Sequence, residues 1–255
     1  MTYGNFNKKI VCVIPARLES TRLPRKVLAQ LHGKTLLNHV WAAACKCKRF
    51  SEIYVATDSE EIAQNVIEFG GKYQMTSYAC KSGVERVIDF IKRSNVEADV
   101  WVNWQADEPF IQSEMIEDLL QKIDSDDSIW TLKKLINNLD IENKNIVKVV
   151  TDNKDRALYF SRSPIPYNRK NTPIKMYRHV GLYAYTTKAL LLIDKIQFSQ
   201  LAETESLEQL AFLEYGLPIY VYHTEHESLG IDTGEDLIKA SNLMQEMFGN
   251  VLNDS

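Results

Sequence analysis

The alternation of apolar runs with helical segments over the first half of the chain is the feature that most constrains its fold. Buried-strand patterns cover Lys9 to Pro15, Glu52 to Thr57 and Val100 to Trp104. Helical patterns cover Leu36 to Cys47, Ser59 to Phe69, Gly83 to Arg93 and Ser113 to Ile123. This order predicts an α/β fold with a mostly parallel, Rossmann-like sheet and helices on both faces, in which ligands bind at the carboxyl ends of the strands.

After Ser125 the strand patterns become more frequent. We expect strands at Trp130 to Leu135, Ile146 to Thr151, Ala157 to Phe160, Val180 to Thr186 and Ile219 to Tyr222. We expect helices at Ala189 to Ile196 and Glu205 to Tyr215, and an exposed loop from Ser163 to Met176, which is rich in proline, asparagine and basic residues. This part of the chain is interpreted as a smaller, β-rich insertion.

Charge and composition exclude several classes of protein. The 255 residues carry a net charge of -4, which argues against general binding of nucleic acid. No run approaches the ~20 apolar residues that a membrane-spanning helix needs, so no membrane insertion is expected. Four cysteines match no zinc or redox spacing, which favours reduced thiols and a cytoplasmic location.

A basic loop follows the first predicted strand. From Met1 to Lys34 there are seven lysines and arginines against one acid, Glu19. Arg17, Arg22 and Lys26 concentrate positive charge where open sheets bind ligands, which predicts a small polyphosphate ligand. The loop lacks the glycines of a Walker loop or of a dinucleotide-binding turn. A solvated basic loop without a ligand is the alternative.

The loop resembles the signature P-A-R-x-x-S-T-R-L-P-G-K of the CMP-Kdo synthetases, also called 3-deoxy-manno-octulosonate cytidylyltransferases. The likeness extends nearly from end to end, and it includes Val55 to Asp58, Met75 to Ser77, Ser82 to Arg86, Asn103 to Pro109, Val147 to Val150, Tyr159 to Arg162, Arg178 to Tyr183, Leu207 to Leu210 and Gly230 to Leu237. It implies transfer of a cytidylyl group from CTP to a 2-keto sugar acid, with Mg²⁺ as cofactor and a homodimer as the assembly.

The resemblance also implies a division of labour along one nucleotidyltransferase domain, residues 1–255. Residues 1–125 would bind CTP, 126–225 would bind the sugar and contact the dimer partner, and 226–255 would return with a metal ligand and a C-terminal helix. The nucleotide site would contain Pro15, Ala16, Arg17, Arg22, Lys26, Ser82, Arg86, Gln105 and Asp107.

Asp107 and Asp232 are the expected metal ligands. Asp107 follows a predicted strand and therefore faces the same crevice as the basic loop, and Mg²⁺ needs few protein carboxylates when phosphate oxygens complete its shell. In this interpretation Arg17, Arg22, Lys26 and Asp107 are catalytic, because the cations hold the leaving pyrophosphate. A role for Asp107 as a helix cap, or Glu108 or Asp58 as ligand instead, remains open.

On the acceptor side the resemblance implies that the sugar is bound by Gln105, Arg162, His179, Tyr183, Glu208 and Gln209. His179 and Tyr183 are four residues apart on a predicted strand and so share a face. The alternative is that these residues are structural.

Departures from the family pattern lie at Arg25 and Ala106, where the family has glycine, at Val84 for threonine, and at Ala211 for arginine. Glu203 and Thr204 replace the usual His-Ile. A carboxylate there could favour an amino-substituted acceptor. The alternatives are therefore a cytidylyltransferase for a modified Kdo, another acidic sugar or a phosphonate, and a non-catalytic nucleotide-binding relative.

Overall fold

The computed structural model describes residues 8–123, 128–170 and 172–251, and its chain divides into two compact units. Unit I consists of Cys12–Val96, Trp104–Ser113 and Glu227–Ser255. Unit II consists of Met1–Val11, Glu97–Asn103 and Glu114–His226. The boundary predicted between residues 125 and 126 lies outside the described residues, and the three-part division of the domain stays a prediction.

Within the described residues the strands are β1 (Ile10–Ala16), β2 (Gln30–Leu31), β3 (Lys34–Thr35), β4 (Glu52–Thr57), β5 (Tyr73–Met75), β6 (Val100–Asn103), β7 (Ile129–Leu135), β8 (Lys148–Thr151), β9 (Ala157–Ser161), β10 (Tyr177–Thr186) and β11 (Ile219–His223). The helices are α1 (Leu36–Lys46), α2 (Glu60–Glu68), α3 (Gly83–Arg93), α4 (Ser113–Leu119), α5 (Thr187–Ile193), α6 (Gln200–Glu205), α7 (Gln209–Glu214) and α8 (Gly234–Val251).

In unit I the strand order is β1-β4-β5, and β4 and β5 are parallel. The part of β1 in this unit is buried throughout, as its apolar sequence predicts. Ser59 and Ser82 cap α2 and α3, since each side chain accepts a hydrogen bond from the backbone N–H three residues later. The predicted bounds of β4 and α3 are confirmed at both ends.

The segment that ends in α8 packs against the start of unit I. Ile231, Ala240 and Met244 form an apolar cluster with Leu31 and Leu36, and all five are buried. This packing brings the segment around Asp232 back beside residues that lie some 200 positions earlier in the chain.

Unit II has the strand order β11-β7-β10-β6, with β8 beside β10 and β9 beside β8. Strand β10 is antiparallel to its neighbours β6, β7 and β8, whereas β11 is parallel to β7. Because β10 is a central strand, Leu182 to Thr186 are all buried, although the alternating sequence predicted one exposed face. The α/β class with a mostly parallel sheet is confirmed.

The single helix predicted from Glu205 to Tyr215 is wrong. Helix α6 ends at Glu205, and Ser206 takes the left-handed conformation with φ of 52° before α7 begins at Gln209. The Leu207 N–H donates to the Ala202 carbonyl at 3.0 Å and closes the end of α6.

The expected loop from Ser163 to Met176 contains no helix or strand in its described part, residues 163–170 and 172–176. In the described portions of the chain, no helix combines the length and the apolar character needed to cross a membrane.

Candidate active site

The basic loop leaves β1 on the surface of unit I. Arg17 and Arg22 are exposed, whereas the side chain of Lys26 is only 13% exposed. The loop ends where Arg25 takes a left-handed conformation and a 3₁₀ turn, Lys26–Leu28, begins. This turn directs the Lys26 side chain inward while the two arginines stay in contact with solvent.

Lys26 joins the two expected metal ligands. Its Nζ donates to Asp107 Oδ2 at 2.5 Å and to Asp232 Oδ1 at 2.8 Å. Burial alone would lower the pKa of Lys26, but the two carboxylates outweigh it, so that the pKa lies above its usual value. Arg22 adds a second cation at 2.9 Å from Asp232 Oδ1. The structure therefore brings Arg22, Lys26, Asp107 and Asp232 together.

Asp107 is positioned by the turn that follows β6. The Trp104 N–H donates to the Val13 carbonyl at 3.1 Å and the Glu108 N–H to the Gln105 carbonyl at 3.1 Å, which ties the turn to β1. Ala106 is buried within this turn and is not among the described residues with positive φ, so its methyl group costs no backbone strain.

The two alternative metal ligands are engaged elsewhere. The Glu108 carboxylate is hydrogen-bonded by Ser228 Oγ. The Asp58 carboxylate forms a buried ion pair with Arg86 at 2.8 Å. Neither acid is bonded to Lys26, whereas Asp107 and Asp232 both are.

A cavity of about 190 Å³ within unit I is lined by Arg22, Lys26 and Asp107, whereas Asp232 is not among its described lining residues. Its walls contain most of the predicted nucleotide residues, namely Pro15, Arg17, Arg22, Lys26, Ser82, Arg86, Gln105 and Asp107. Ala16 is buried at the end of β1 and precedes the lining residue Arg17. A second cavity, of about 440 Å³, shares Arg17 and Arg86 with the first and extends along Asp58, Ser59 and Tyr78. Together they offer a cleft of the size that small ligands occupy.

Arg86 differs from the exposed arginines Arg17 and Arg22 because its guanidinium is both buried and ion-paired. It is 3% exposed and donates to Asp58 Oδ2 and to Thr76 Oγ1, each at 2.8 Å. We therefore interpret Arg86 as a residue that shapes the wall. Lys81, exposed and adjacent to Ser82, is a cation of the wall that the sequence analysis missed, although the matched segment at Ser82 begins immediately after it.

His179 and Tyr183 lie side by side in unit II, with ring centroids 5.3 Å apart. They keep a common face although β10 bulges between Val180 and Tyr183, because two extra residues leave the alternation of side chains unchanged. The single hydroxyl hydrogen of Thr131 is shared between the Val180 and Leu182 carbonyls, which lie 3.0 and 2.9 Å from Oγ1. Oγ1 therefore accepts from His179 Nε2 at 2.9 Å, which assigns the proton to Nε2.

Burial keeps both of these side chains neutral. It lowers the pKa of His179 to about 3, since the ring packs between Phe160 and Tyr183, and it raises the pKa of Tyr183, with the nearby Glu208 carboxylate adding to the effect. Glu208 is exposed at the start of α7 and Gln209 is buried. The structure thus groups His179, Tyr183 and Glu208.

Arg162 is held by backbone carbonyls of unit II. Its Nε donates to Glu205 O at 2.8 Å, Nη1 to Lys144 O at 3.1 Å and Nη2 to Ser206 O at 3.3 Å. Each Nη retains one further N–H, so a role in binding a carboxylate stays a prediction. The three bonds give Arg162 a structural task at the end of α6.

Comparison with known proteins identifies the family of this chain. Residues 11–229 match the family model for cytidylyltransferases. The 3-deoxy-manno-octulosonate cytidylyltransferase of Thermodesulfovibrio yellowstonii is 44% identical, over 89% of this chain and 94% of that protein. The protein of the same name from Flavobacterium johnsoniae is 38% identical, over 94% of this chain and 100% of that protein.

Solved structures agree with these matches. The structure of a CMP:2-keto-3-deoxy-manno-octonic acid synthetase complexed with CTP superposes with a TM-score of 0.89 at 38% identity, over 94% of this chain and 99% of that chain. The 4-diphosphocytidyl-2C-methyl-D-erythritol synthase of Anaerococcus prevotii superposes with a TM-score of 0.61 at 15% identity, over 93% and 99% of the two chains, and shares the fold. The chain belongs to the cytidylyltransferases and, among them, to the 3-deoxy-manno-octulosonate cytidylyltransferase family.

Proposed function

We propose that this protein transfers the cytidylyl group of CTP to 3-deoxy-manno-octulosonate and releases pyrophosphate. The observation that carries the proposal is the convergence of Asp107 and Asp232 on Lys26 Nζ, both within 2.8 Å, at a cleft that also contains Arg17 and Arg22. The related proteins are named for this reaction, and one solved structure of similar fold is described as a complex with CTP.

The two carboxylates fit a hard divalent cation. One oxygen of each carboxylate already lies within 2.8 Å of the same cationic nitrogen, and carboxylate oxygen is the ligand that Mg²⁺ prefers. Asp107 and Asp232 would hold Mg²⁺, and the substrate phosphates and water would complete its shell. When bound there, Mg²⁺ would neutralise charge on the α-phosphate and lower the pKa of the attacking hydroxyl.

The basic residues of the loop act on the leaving group. In the reaction a bond forms between the acceptor oxygen and the α-phosphorus, the bond from that phosphorus to the β-phosphate oxygen breaks, and the hydroxyl proton passes to the medium. Arg17, Arg22 and Lys26 stabilise the charge that develops on pyrophosphate, and Lys81 lies on the same wall. Lys26 also remains close enough to the carboxylates to hold them together.

The neutral side chains of unit II suit a polyhydroxy acceptor. Asn103 Oδ1 is buried and lacks a hydrogen-bond partner among the described residues, and Tyr183 is the cross-strand neighbour of Asn103 on β10. A sugar hydroxyl would satisfy such a group. His179 and Tyr183 are therefore proposed to bind the sugar as hydrogen-bonding groups, with Glu208 and Gln209 beside them.

The proposal is tested by pyrophosphate release from CTP with 3-deoxy-manno-octulosonate. Asp107→Asn and Asp232→Asn are each expected to lower kcat at least about 100-fold while the protein stays folded. Glu114→Gln, an exposed acid on α4 outside the cleft, is the matched control and should keep full activity. Wild-type protein that releases no pyrophosphate with any acidic sugar would support a non-catalytic nucleotide-binding protein instead.

The same assay, run with an acceptor panel, tests the sugar. Besides 3-deoxy-manno-octulosonate the panel contains an 8-carbon acid with an amino substituent, a nonulosonic acid and a phosphonate. We expect the highest kcat/KM for 3-deoxy-manno-octulosonate. A higher value for the amino-substituted acid would instead assign a role to Glu203, which is exposed on α6.

We also infer that the protein works as a homodimer in the cytoplasm. Exposed apolar side chains of unit II, among them Leu139, Leu158 and Tyr167, support an assembly, and the free cysteines support a reducing compartment. Light scattering at several protein concentrations measures the mass, and a mass of one chain at all of them would contradict the dimer.

A further inference from the structure

Asp236 forms an unusual set of hydrogen bonds at the start of α8. A single oxygen, Oδ2, accepts from Thr233 Oγ1 at 2.8 Å, from the Thr233 N–H at 3.0 Å and from the Asp232 N–H at 3.2 Å. In return the Asp236 N–H donates to Thr233 Oγ1 at 3.2 Å. Asp236 therefore bonds to the backbone of the residue that carries the proposed metal-binding carboxylate.

A helix cap accounts for only part of this set. In a capping box the first residue of the cap and the residue three positions later exchange hydrogen bonds, and the bonds between Thr233 and Asp236 do this. The bond to the Asp232 N–H lies outside the box. It adds nothing to the reciprocal cap, but it orients the peptide from which the Asp232 side chain extends.

The Asp232 carboxylate is bonded to Lys26 and Arg22, but its side chain is poorly packed, so its backbone also contributes to its position. The side chain is 44% exposed, so neighbouring apolar groups do not hold it. The preceding residue is fixed, since Ile231 is fully buried and its N–H donates to the Asp107 carbonyl at 2.9 Å. Asp236 restrains Asp232 in the same way, by accepting from its N–H. The backbone is therefore held by a hydrogen bond at each of the two residues, Ile231 and Asp232.

We propose that Asp236 is a positioning residue, which sets the Asp232 carboxylate opposite Asp107 through its bond to the Asp232 backbone. This inference rests on the proposed function, in which the two carboxylates hold a divalent cation. Asp236 itself does not touch the substrate or the cation in this scheme. Groups that orient metal ligands typically contribute about 10- to 100-fold to metal affinity or activity.

The test measures Mn²⁺ affinity in the presence of CTP by electron paramagnetic resonance, together with kcat, the KM for CTP and the unfolding midpoint. Asp236→Ala should weaken Mn²⁺ binding about 10-fold or more. Its lost activity should return at high metal concentration. Asp236→Asn keeps an acceptor oxygen at the same place and should stay within about threefold of wild type, because hydrogen bonding rather than charge is required.

Thr233→Val is the matched control. It removes the hydroxyl of the capping box but leaves the bond from the Asp232 N–H to Asp236, so it should lower the unfolding midpoint without changing Mn²⁺ affinity. Should Asp236→Ala fail to fold, Asp236→Ser replaces it, since its backbone N–H still donates to Thr233 Oγ1 and its shorter side chain does not reach the Asp232 N–H. The same loss of Mn²⁺ affinity is expected.

Two results would overturn the inference. In the first, Asp236→Ala or its substitute lowers stability as much as Thr233→Val and leaves Mn²⁺ affinity unchanged, which would make Asp236 a helix cap only. Equal losses in Asp236→Asn and Asp236→Ala would make charge the requirement. Asp232→Asn serves as the reference: if it also leaves Mn²⁺ affinity unchanged, the proposed cation site fails, and not only the role of Asp236.

Discussion

Arg25 stands in a backbone conformation that suits glycine better than arginine. Its φ of 56° and ψ of 32° are left-handed, and its guanidinium forms an ion pair with Glu61 on the surface. The family pattern has glycine at this position, directly before Lys26. Arginine in place of glycine at residue 25 therefore costs conformational energy of the backbone. It does not displace the neighbouring Lys26, which stays bonded to both carboxylates.

We predict that Arg25→Gly is more stable than Arg25→Ala by about 1 kcal/mol, because only glycine enters the left-handed region without a steric cost. Both variants lose the ion pair with Glu61, so their difference isolates the backbone. Urea unfolding measures the two free energies. An alanine variant as stable as the glycine variant would contradict the assigned conformation.

His179 makes the stability of the fold depend on pH. The unfolded imidazole has a pKa near 6.5, whereas burial lowers the folded pKa to about 3. Between these values the unfolded chain binds a proton that the folded chain does not. The free energy of unfolding therefore falls as the pH is lowered through 6.5, and the loss is complete once the pH is below the folded pKa.

We predict that wild-type protein loses about 2 kcal/mol more stability than His179→Gln between pH 7.5 and pH 5.0. The comparison uses urea unfolding of each protein at both pH values, so the cost of the substitution at pH 7.5 is subtracted. Parallel losses in the two proteins would show that the ring is protonated in the fold.

Some residues of the candidate site could be predicted from the sequence and others could not. Lys26 and Asp107 could be expected there from their positions after β1 and β6, because strand ends of a parallel sheet face one crevice. Asp232 was found through the family resemblance alone. The engaged state of Arg86 and the role of Asp236 could not be expected, since both depend on hydrogen bonds that no local pattern specifies.

At the scale of elements, the end of α6 shows why one prediction was wrong. The segment from Glu205 to Tyr215 has helical periodicity, but Ser206 is left-handed and its carbonyl accepts from Arg162 Nη2. Arg162 follows β9, more than 40 positions earlier. A local pattern does not contain this partner, whereas β4 and α3 carry their own start and stop signals and were predicted with the observed bounds.

We predict that Arg162→Lys lowers the free energy of unfolding by about 1 to 3 kcal/mol, because one ammonium cannot satisfy three carbonyls arranged around a planar guanidinium. Chemical unfolding measures the loss. Arg156→Lys, at an arginine 52% exposed, is the control and should leave stability nearly unchanged. A raised KM for the sugar with unchanged stability would instead make Arg162 a substrate ligand.

At the scale of the whole molecule, binding of CTP should raise the free energy of unfolding. We predict that CTP with Mg²⁺, at about 100 times its dissociation constant, stabilises the fold by about 2.7 kcal/mol, since only the folded chain forms the cleft. For a chain of this length that corresponds to a rise in Tm of several degrees. Differential scanning fluorimetry measures it, with Asp107→Asn as the control that should lose most of the shift. No shift with CTP would contradict the nucleotide site.

The general architecture was predictable because strands and helices alternate with clear periods in the first half of the chain. The antiparallel insertion of β10 between β6 and β7 was not, since its sequence alternates like a half-buried strand and only the neighbouring strands explain its full burial. Resemblance supplied the reaction, and the hydrogen bonds of Lys26 supplied the geometry that makes the reaction physically reasonable.

The bond between Lys26 and Asp232 joins residues 206 positions apart. A ribosome adds residues in order, so the nascent polypeptide carries its cationic loop and Asp107 long before Asp232 is translated. Until then the loop is present, but the two carboxylates that are proposed to hold a cation are not both part of the chain. A premature stop codon just ahead of Asp232 is therefore expected to silence catalysis as completely as one close to the start codon.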